Sequence, residues 1–124
     1  MARKSKLELL ATDIYNWCID NELWGDNIIY FKGKAWSNFP EWNGVKGKKI
    51  AEDLYEYKNK KASDYFEYAN DETLSMSFEG SLYYVLNAHV RGWEKLEYEF
   101  QKIFTKHGYY YEMGHAWNLA AWQL

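Results

Sequence analysis

The sequence predicts an α+β domain in which helices pack on one face of a small antiparallel sheet of about four to six strands. Three patterns support this fold. Apolar residues recur at helical spacing over residues 5–21, which indicates an amphipathic helix. Apolar and polar residues alternate over residues 74–79, as in a strand with one buried face. A second helical stripe leads to an aromatic run at 109–113, so the chain ends as strand, helix and strand.

Length, charge and cysteine content limit the classes of protein. A chain of 124 residues has the size of one domain, which we place at residues 1–124. The formal charge is −3 and only Arg3 and Arg91 are arginines, so we expect no direct binding to nucleic acid. The single cysteine, Cys18, excludes an intramolecular disulfide and a cysteine-based zinc site. The sequence shows no signal peptide and no membrane-spanning run, and we expect a cytoplasmic protein with no membrane contact.

The first third of the chain predicts a helix followed by a hairpin. Ser5 is expected to cap the helix, with Glu8 at capping-box spacing. Cys18 lies on the apolar stripe, which favours a buried small side chain over a nucleophile. The hairpin pairs residues 27–31 with 35–38 around a turn that contains a glycine.

The middle third is less regular. Residues 39–44 contain the only proline and a glycine and are predicted to form a loop, which continues over residues 45–49. Residues 50–61 fit both a helix and a strand, and we favour a strand at 53–58 before a turn. A short helix is predicted at residues 63–69, with Ser63 as its cap.

The last third contains the strongest patterns. After the strand at 74–79, Ser81 is expected to cap a helix that runs to about residue 107, with a break or kink at Arg91-Gly92. Gly108 suits the end of that helix. Gly114-His115 is either the turn of a terminal hairpin or a bulge, and Trp117 is placed on the same strand face as Leu119 and Ala121. The predicted order of elements is α-β-β-(β)-α-β-α-β-(β).

The aromatic content is high and has two interpretations. Phe, Trp and Tyr make up 20% of the residues, with 7 Trp and 12 Tyr. The rings either fill a small core or cover a binding face, since Tyr and Trp are favoured at interfaces. Aromatic rings with nearby bases could also hold a nucleotide by stacking and phosphate contacts. The residues that would form such a site are Trp36, Trp42, Tyr55, Arg91 and Lys48.

No catalytic or metal-binding pattern is present. His89, His107 and His115 are far apart and lack metal-ligand spacing, so we predict neither a cofactor nor a metal. Glu79 lies at a strand-to-helix edge, where ligand sites often form, although a structural cross-strand pair explains it as well. Any polar site in the C-terminal block is expected on one side of the sheet, which carries Ser75, Ser77, Glu79, Glu112 and Asn118.

Three stretches of the C-terminal half carry a resemblance to known proteins. They are residues 64–70, residues 75–80 with Leu82-Tyr83, and residues 110–112 with 116–119. Over residues 63–119 the chain resembles small accessory proteins of bacteriophages and mobile elements. The resemblance implies a bacterial host, and proteins of that setting often inhibit defence systems, as anti-CRISPR proteins do, or sequester nucleotide signals. It implies a host defence protein, such as a nuclease effector, as the partner.

Three hypotheses of function follow. The first is a non-enzymatic inhibitor that contacts a basic channel of a defence protein through an acidic, aromatic-rich surface. The second is a nucleotide binder, and the third is a small hydrolase that uses Glu79, His89 or His115. Whether the chain forms a homo-oligomer stays open. The acidic surface would contain Glu52, Asp53, Glu56, Asp64, Glu67, Asp71 and Glu72. The candidate binding residues are Trp36, Trp42, Tyr55, Glu79, Arg91, Glu112 and Asn118.

Overall fold

A computed structural model describes residues 4–88 and 91–124 and has an α+β fold, as predicted. The helices in these residues are α1 (Lys6–Asp20), α2 (Ser81–Asn87) and α3 (Glu94–Lys106), with a 3₁₀ turn at Ala62–Asp64. The strands are β1 (Asn27–Phe31), β2 (Lys34–Ser37), β3 (Glu41–Trp42), β4 (Val45–Lys46), β5 (Lys48–Ala51), β6 (Leu54–Lys58), β7 (Leu74–Phe78), β8 (Tyr109–Met113) and β9 (Asn118–Gln123).

Within the part of the chain that the structure describes, seven strands form one antiparallel sheet in the order β5-β6-β2-β1-β7-β9-β8. Strands β3 and β4 pair separately as a short ribbon. The sheet is larger than predicted because residues 45–51, predicted as a loop and the start of an ambiguous segment, form two strands. Strand β4 belongs to the ribbon, and β5 adds an edge strand to the sheet. The predicted strands at 27–31, 35–38, 53–58, 74–79 and 109–113 match β1, β2, β6, β7 and β8 to within one residue at each end.

The three helices pack on one face of the sheet, as predicted. Fully buried side chains on this side come from the helices and from alternate strand positions. They include Leu10, Ile14, Leu82, Phe100 and Phe104 from the helices, and Ile29, Met76, Phe78 and Leu119 from the strands. Removing a side chain of this size from water stabilises the fold by about 1.5–3 kcal/mol, so this core is the main source of stability.

The opposite face of the sheet, called the outer face below, is also covered. Residues 59–73 and the β3–β4 ribbon lie over it, and a second buried cluster forms beneath them, including Tyr30, Tyr57 and Phe66. The prediction of a half-buried strand at 74–79 is therefore wrong, because Ser75 is as inaccessible as Met76. This outer layer brings aromatic side chains from distant parts of the chain together.

Three further local predictions are wrong for identifiable reasons. The predicted helix at 63–69 is only the 3₁₀ turn, since the Asp71 carboxylate accepts hydrogen bonds from the Ser63 backbone and hydroxyl. Ser81 is the first residue of α2, and Gly80 occupies the cap position. Trp117 packs on Phe66 at the outer face, not beside Leu119 on the helix side.

Tight turns fix the register of both N-terminal hairpins. Lys32 and Gly33 have φ angles of 52° and 74°, and Asn43 and Gly44 have φ angles of 50° and 81°. Two consecutive positive φ angles define the type I′ turn, whose twist matches paired strands. The first hairpin was predicted, whereas the second lies in the predicted loop. The predicted break of the C-terminal helix is confirmed by the gap between α2 and α3.

Candidate binding surface

Six rings form an aromatic cluster on the outer face. Tyr30 lies at its centre, with ring centroids 5.7 Å from both Tyr65 and Phe66. Trp42, from the ribbon, is 5.3 Å from both Tyr57 and Tyr65. Most of these contacts are edge-to-face or tilted, which is the geometry that aromatic pairs prefer. We refer to Tyr30, Trp42, Tyr57, Tyr65, Phe66 and Trp117 as the aromatic cluster.

The cluster has a buried floor and an open side. Tyr30, Tyr57 and Phe66 are between 3% and 8% exposed, whereas Tyr65 is 44% exposed. Trp42 and Trp117 are half-buried. Burial, with a smaller contribution from Tyr65, holds the pKa of Tyr30 far above its ordinary value of 10.0, although a hydrogen bond with Ser77 opposes the shift. The Tyr30 hydroxyl therefore stays neutral over the physiological pH range, as suits a structural floor.

The rim of the cluster carries charge of both signs. Lys60 places its ammonium 4.6 Å from the ring centroid of Trp42 and 5.9 Å from that of Tyr65, which is cation–π geometry. Asp64 and Glu67 are exposed and stand on either side of Tyr65-Phe66 in the chain. The cluster therefore combines flat rings with an ammonium group that lies over two of them, and the segment that carries Tyr65 also carries exposed carboxylates.

A stack of two rings extends the surface toward the β8–β9 turn. The His115 imidazole lies nearly parallel to the Trp117 indole, with an interplanar angle of 11° and centroids 5.4 Å apart. Trp117 in turn contacts Phe66 edge-on at 5.6 Å. His115 is exposed, so its ring forms the outer boundary of the cluster at this end.

The residues predicted to hold a nucleotide do not converge. Trp36 points to the helix side, is 5% exposed, and donates its indole N–H to Glu56 Oε1 at 2.9 Å. Trp42 and Tyr55 lie on the outer face, so the sheet separates them from Trp36. Arg91 is exposed in the connection between α2 and α3. A site that uses both Trp36 and Trp42 is thus excluded by the topology.

The predicted polar side in the C-terminal block is mainly structural. Asn118 is fully buried, donates from Nδ2 to the Tyr68 carbonyl at 2.8 Å, and accepts the His115 backbone N–H at 2.7 Å. It lies directly across from Ser77 in the β7–β9 register. These bonds hold the outer layer on the sheet. Because its side chain is buried and makes these bonds, Asn118 is not accessible to a ligand.

The two candidate glutamates of that block are solvent-exposed. Glu112 accepts a hydrogen bond from the Tyr68 hydroxyl at 3.3 Å. Glu79 follows β7, and its backbone N–H donates to the Asp26 carbonyl at 3.1 Å. The second of these contacts fixes the strand-to-helix edge.

The histidines occupy separate places. His107 ends α3, and its Nε2 lies 2.6 Å from an Asp13 carboxylate oxygen, an ion pair when the ring is protonated. His115 lies on Trp117 as described above, and His89 lies outside the described residues. Within residues 4–88 and 91–124, no group of three His, Cys, Asp or Glu side chains is arranged to hold a metal ion.

A second concave surface lies on the helix side, between α1 and the β5–β6 edge. Its volume is about 380 Å³, with Trp36, Ile50 and Leu54 among its apolar lining. Lys34 bridges two carboxylates at its wall, at 3.3 Å from Glu56 and 3.7 Å from Glu8. The wall is thus an internally satisfied ion network.

Sequence reasoning missed Tyr65, Phe66, Trp117 and Lys60. The pair Tyr65-Phe66 was placed on a helix, and Trp117 on the wrong strand face. The only signal was the density of aromatic and lysine residues between 55 and 68, which does not reveal which rings meet. Their contacts join β1, the ribbon, the 3₁₀ turn and the β8–β9 turn, so they depend on the tertiary fold.

No protein-family model matches the chain, and comparison with curated proteins and with solved structures gives no significant match. The helices within the described residues are too short or too polar to cross a membrane.

Proposed function

We propose that the protein is a non-enzymatic binding protein of the anti-defence type, which inhibits a bacterial defence protein by direct contact. The observation that carries this proposal is the open aromatic cluster, in which Tyr65 is 44% exposed above buried rings. Aromatic side chains that are already held by packing lose little conformational entropy on binding, and Tyr and Trp are enriched among interface hot spots.

Exposed carboxylates support a partner that has a basic surface. Asp64 and Glu67 are exposed on either side of Tyr65-Phe66 in the chain, and Glu72 is exposed in the same segment 59–73. A nuclease effector carries a basic nucleic-acid channel, and carboxylates beside an aromatic anchor suit such a surface. A standard interface buries about 800 Å² per partner, roughly a tenth of the 7439 Å² surface of this chain.

The proposal is tested by phage plating on hosts with an active CRISPR nuclease effector, with and without expression of this chain. The wild-type chain is expected to raise plating efficiency. Tyr65→Ala is expected to lose this effect, because loss of a hot-spot ring weakens binding by about 2 kcal/mol, roughly thirtyfold in dissociation constant. The affinity of the purified effector for both forms, measured by calorimetry, gives the second readout.

Tyr98→Ala is the matched control, since Tyr98 is 58% exposed on α3, in the helix layer. It should plate and bind like the wild type. If the wild-type chain protects no phage on any effector-bearing host, inhibition of defence is rejected. If Tyr65→Ala and Tyr98→Ala behave alike, the aromatic cluster is not the interface.

A further inference from the structure

A lysine-lined groove of about 510 Å³ lies at one edge of the sheet, beside the ribbon. It forms because the β5–β6 pairing ends at Lys48 and Glu56, whereas β6 continues through Tyr57 to Lys58. The chain enters β5 through Gly47, whose backbone lies against the Tyr57 ring; an added Cβ would be 2.7 Å from Tyr57 Cζ. The lining consists of Val45, Lys46, Lys48, Glu56, Tyr57, Lys58, Asn59 and Lys60.

The charge of the groove is opposite to that of the whole chain. Lys46, Lys48, Lys58 and Lys60 line it, while the formal net charge of the protein is −3. Among the described residues, none of these four ammonium groups has a carboxylate oxygen within 4.0 Å. Four lysines around one concave surface repel each other unless an anion lies between them.

Two carboxylates offset part of this charge, Glu56 in the lining and Glu41 beside it. Glu56 also contacts Lys34, at 3.3 Å, and the Trp36 indole N–H on the helix side, so the Lys48 charge is only one of those acting on it. Glu41 lies opposite Lys46 in the β3–β4 ribbon and is exposed. The groove therefore keeps an excess of positive charge.

We propose that this groove binds a nucleotide-sized ligand with two or more phosphates, a function beyond the protein-protein contact proposed above. Lysine ammonium groups are common phosphate ligands. The volume lies within the range of about 300–1,000 Å³ that small-molecule sites have. A long nucleic acid fits less well, because it would extend from the groove along a surface of net negative charge.

Lys60 links the groove to an intrinsic reporter. Its ammonium lies 4.6 Å from the ring centroid of Trp42, and Lys60 also lines the groove. A phosphate that draws this ammonium away changes the environment of the indole. Ligand binding is therefore expected to change tryptophan fluorescence.

The test is a titration of the full chain with inorganic tripolyphosphate, ATP, AMP and adenosine, followed by tryptophan fluorescence and calorimetry. We expect saturable binding that is at least tenfold tighter for ATP or tripolyphosphate than for AMP, with no binding of adenosine. Equal affinity for ATP and tripolyphosphate supports the site and assigns recognition to the phosphates. Tighter binding of ATP supports it and adds a contact to the base or ribose. Affinity should fall as salt concentration rises.

The variant Lys58→Gln/Lys60→Gln is expected to lose at least tenfold in ATP affinity. Lys95→Gln/Lys102→Gln on α3 removes the same charge at exposed positions and should change the affinity less than twofold. Equal losses in both variants, or no saturable binding of ATP and tripolyphosphate, overturn the proposal. Tenfold tighter binding of a thymidine decamer than of ATP also overturns it, since the ligand would then be a nucleic acid strand.

Discussion

Cys18 shows how far the chemistry of a single residue follows from its place on a helix. Its position on the apolar stripe of α1 predicted a buried side chain, and the thiol is fully inaccessible. Burial raises its pKa to about 12, so almost no thiolate forms at pH 8. We expect the native protein to react with a thiol reagent such as DTNB only through opening of the fold.

The rate of colour development at pH 8, with and without urea, measures this reactivity. Cys18 is the only cysteine, so the signal needs no assignment. The native protein should react more slowly than the unfolded chain by a factor of about a hundred or more. Rapid native reaction would show that α1 opens readily or that the thiol is accessible.

The ionisation of Glu56 is expected to make the stability of the fold depend on pH. Burial opposes its ionisation, but hydrogen bonds from Trp36 and Lys34 and the Lys34 charge together hold its pKa below the ordinary value of 4.5. A carboxyl group whose pKa is lower in the folded than in the unfolded state stabilises the fold at pH values above its unfolded-state pKa. This stabilisation is lost as pH falls through the folded value. Glu56→Gln should therefore destabilise the protein by about 1–2 kcal/mol at pH 7 and by clearly less at pH 3.

Urea unfolding at the two pH values measures the difference in the free energy of unfolding. Glu72→Gln, at an exposed carboxylate, is the control and should change stability by less than about 0.5 kcal/mol at either pH. A Glu56→Gln effect that is the same at pH 3 and pH 7 would mean that the carboxylate charge does not contribute.

At the scale of elements, the junction between β7 and α2 depends on close approach of two backbones. A Cβ added to Gly80 would lie 2.4 Å from the Gly25 carbonyl oxygen, so Gly80→Ala must push the two segments apart. We expect a loss of about 1–3 kcal/mol in the free energy of unfolding. Thermal and urea denaturation measure it.

Gly25→Ala is the matched control across the same junction. A Cβ there meets nothing within 4 Å, and the change should cost less than about 1 kcal/mol. Equal effects of the two substitutions would assign the loss to backbone entropy, in contradiction to the steric account.

Elements with a local period were predictable, and elements that depend on distant partners were not. Neighbouring residues alone predict the apolar stripe of α1, the turn at Lys32-Gly33 and the alternation of β6. Strand β5 has mostly exposed residues and pairs with one neighbour only, so it has no apolar period to detect. The segment 63–69 has helical spacing, but the Asp71–Ser63 contact and the burial of Phe66 override it.

The candidate surface was predictable in composition and not in arrangement. Trp42 was named in advance, whereas its neighbours Tyr65 and Lys60 were not. Trp36 and Trp42 were both named as rings that could stack on a nucleotide base, yet they lie on opposite faces of the sheet. Strand parity places Trp36 on the helix side, whereas Trp42 reaches the outer face because its separate ribbon lies over the sheet there.

On the scale of the whole molecule, one sheet serves two cores. Strand β1 sends Ile29 and Phe31 to the helix side and Tyr30 to the outer layer. Because the same strands carry both cores, neither side can lose its packing without loosening the sheet for the other. We therefore expect the helix layer and the outer layer to unfold in one cooperative transition.

Phe66→Ala tests this coupling from the outer side. Phe66 is 8% exposed and contacts Tyr30 and Trp117, so its truncation should cost about 3 kcal/mol. Far-UV circular dichroism reports mainly the helices, which lie on the other face. We expect the midpoint of the helix signal to shift to lower urea concentration, together with the midpoint of the tryptophan fluorescence transition.

Tyr84→Ala is the control, since Tyr84 is 55% exposed on α2, and it should leave the midpoint nearly unchanged. If Phe66→Ala moves the fluorescence transition but not the helix signal, the outer layer unfolds independently and the two cores are not coupled through the sheet.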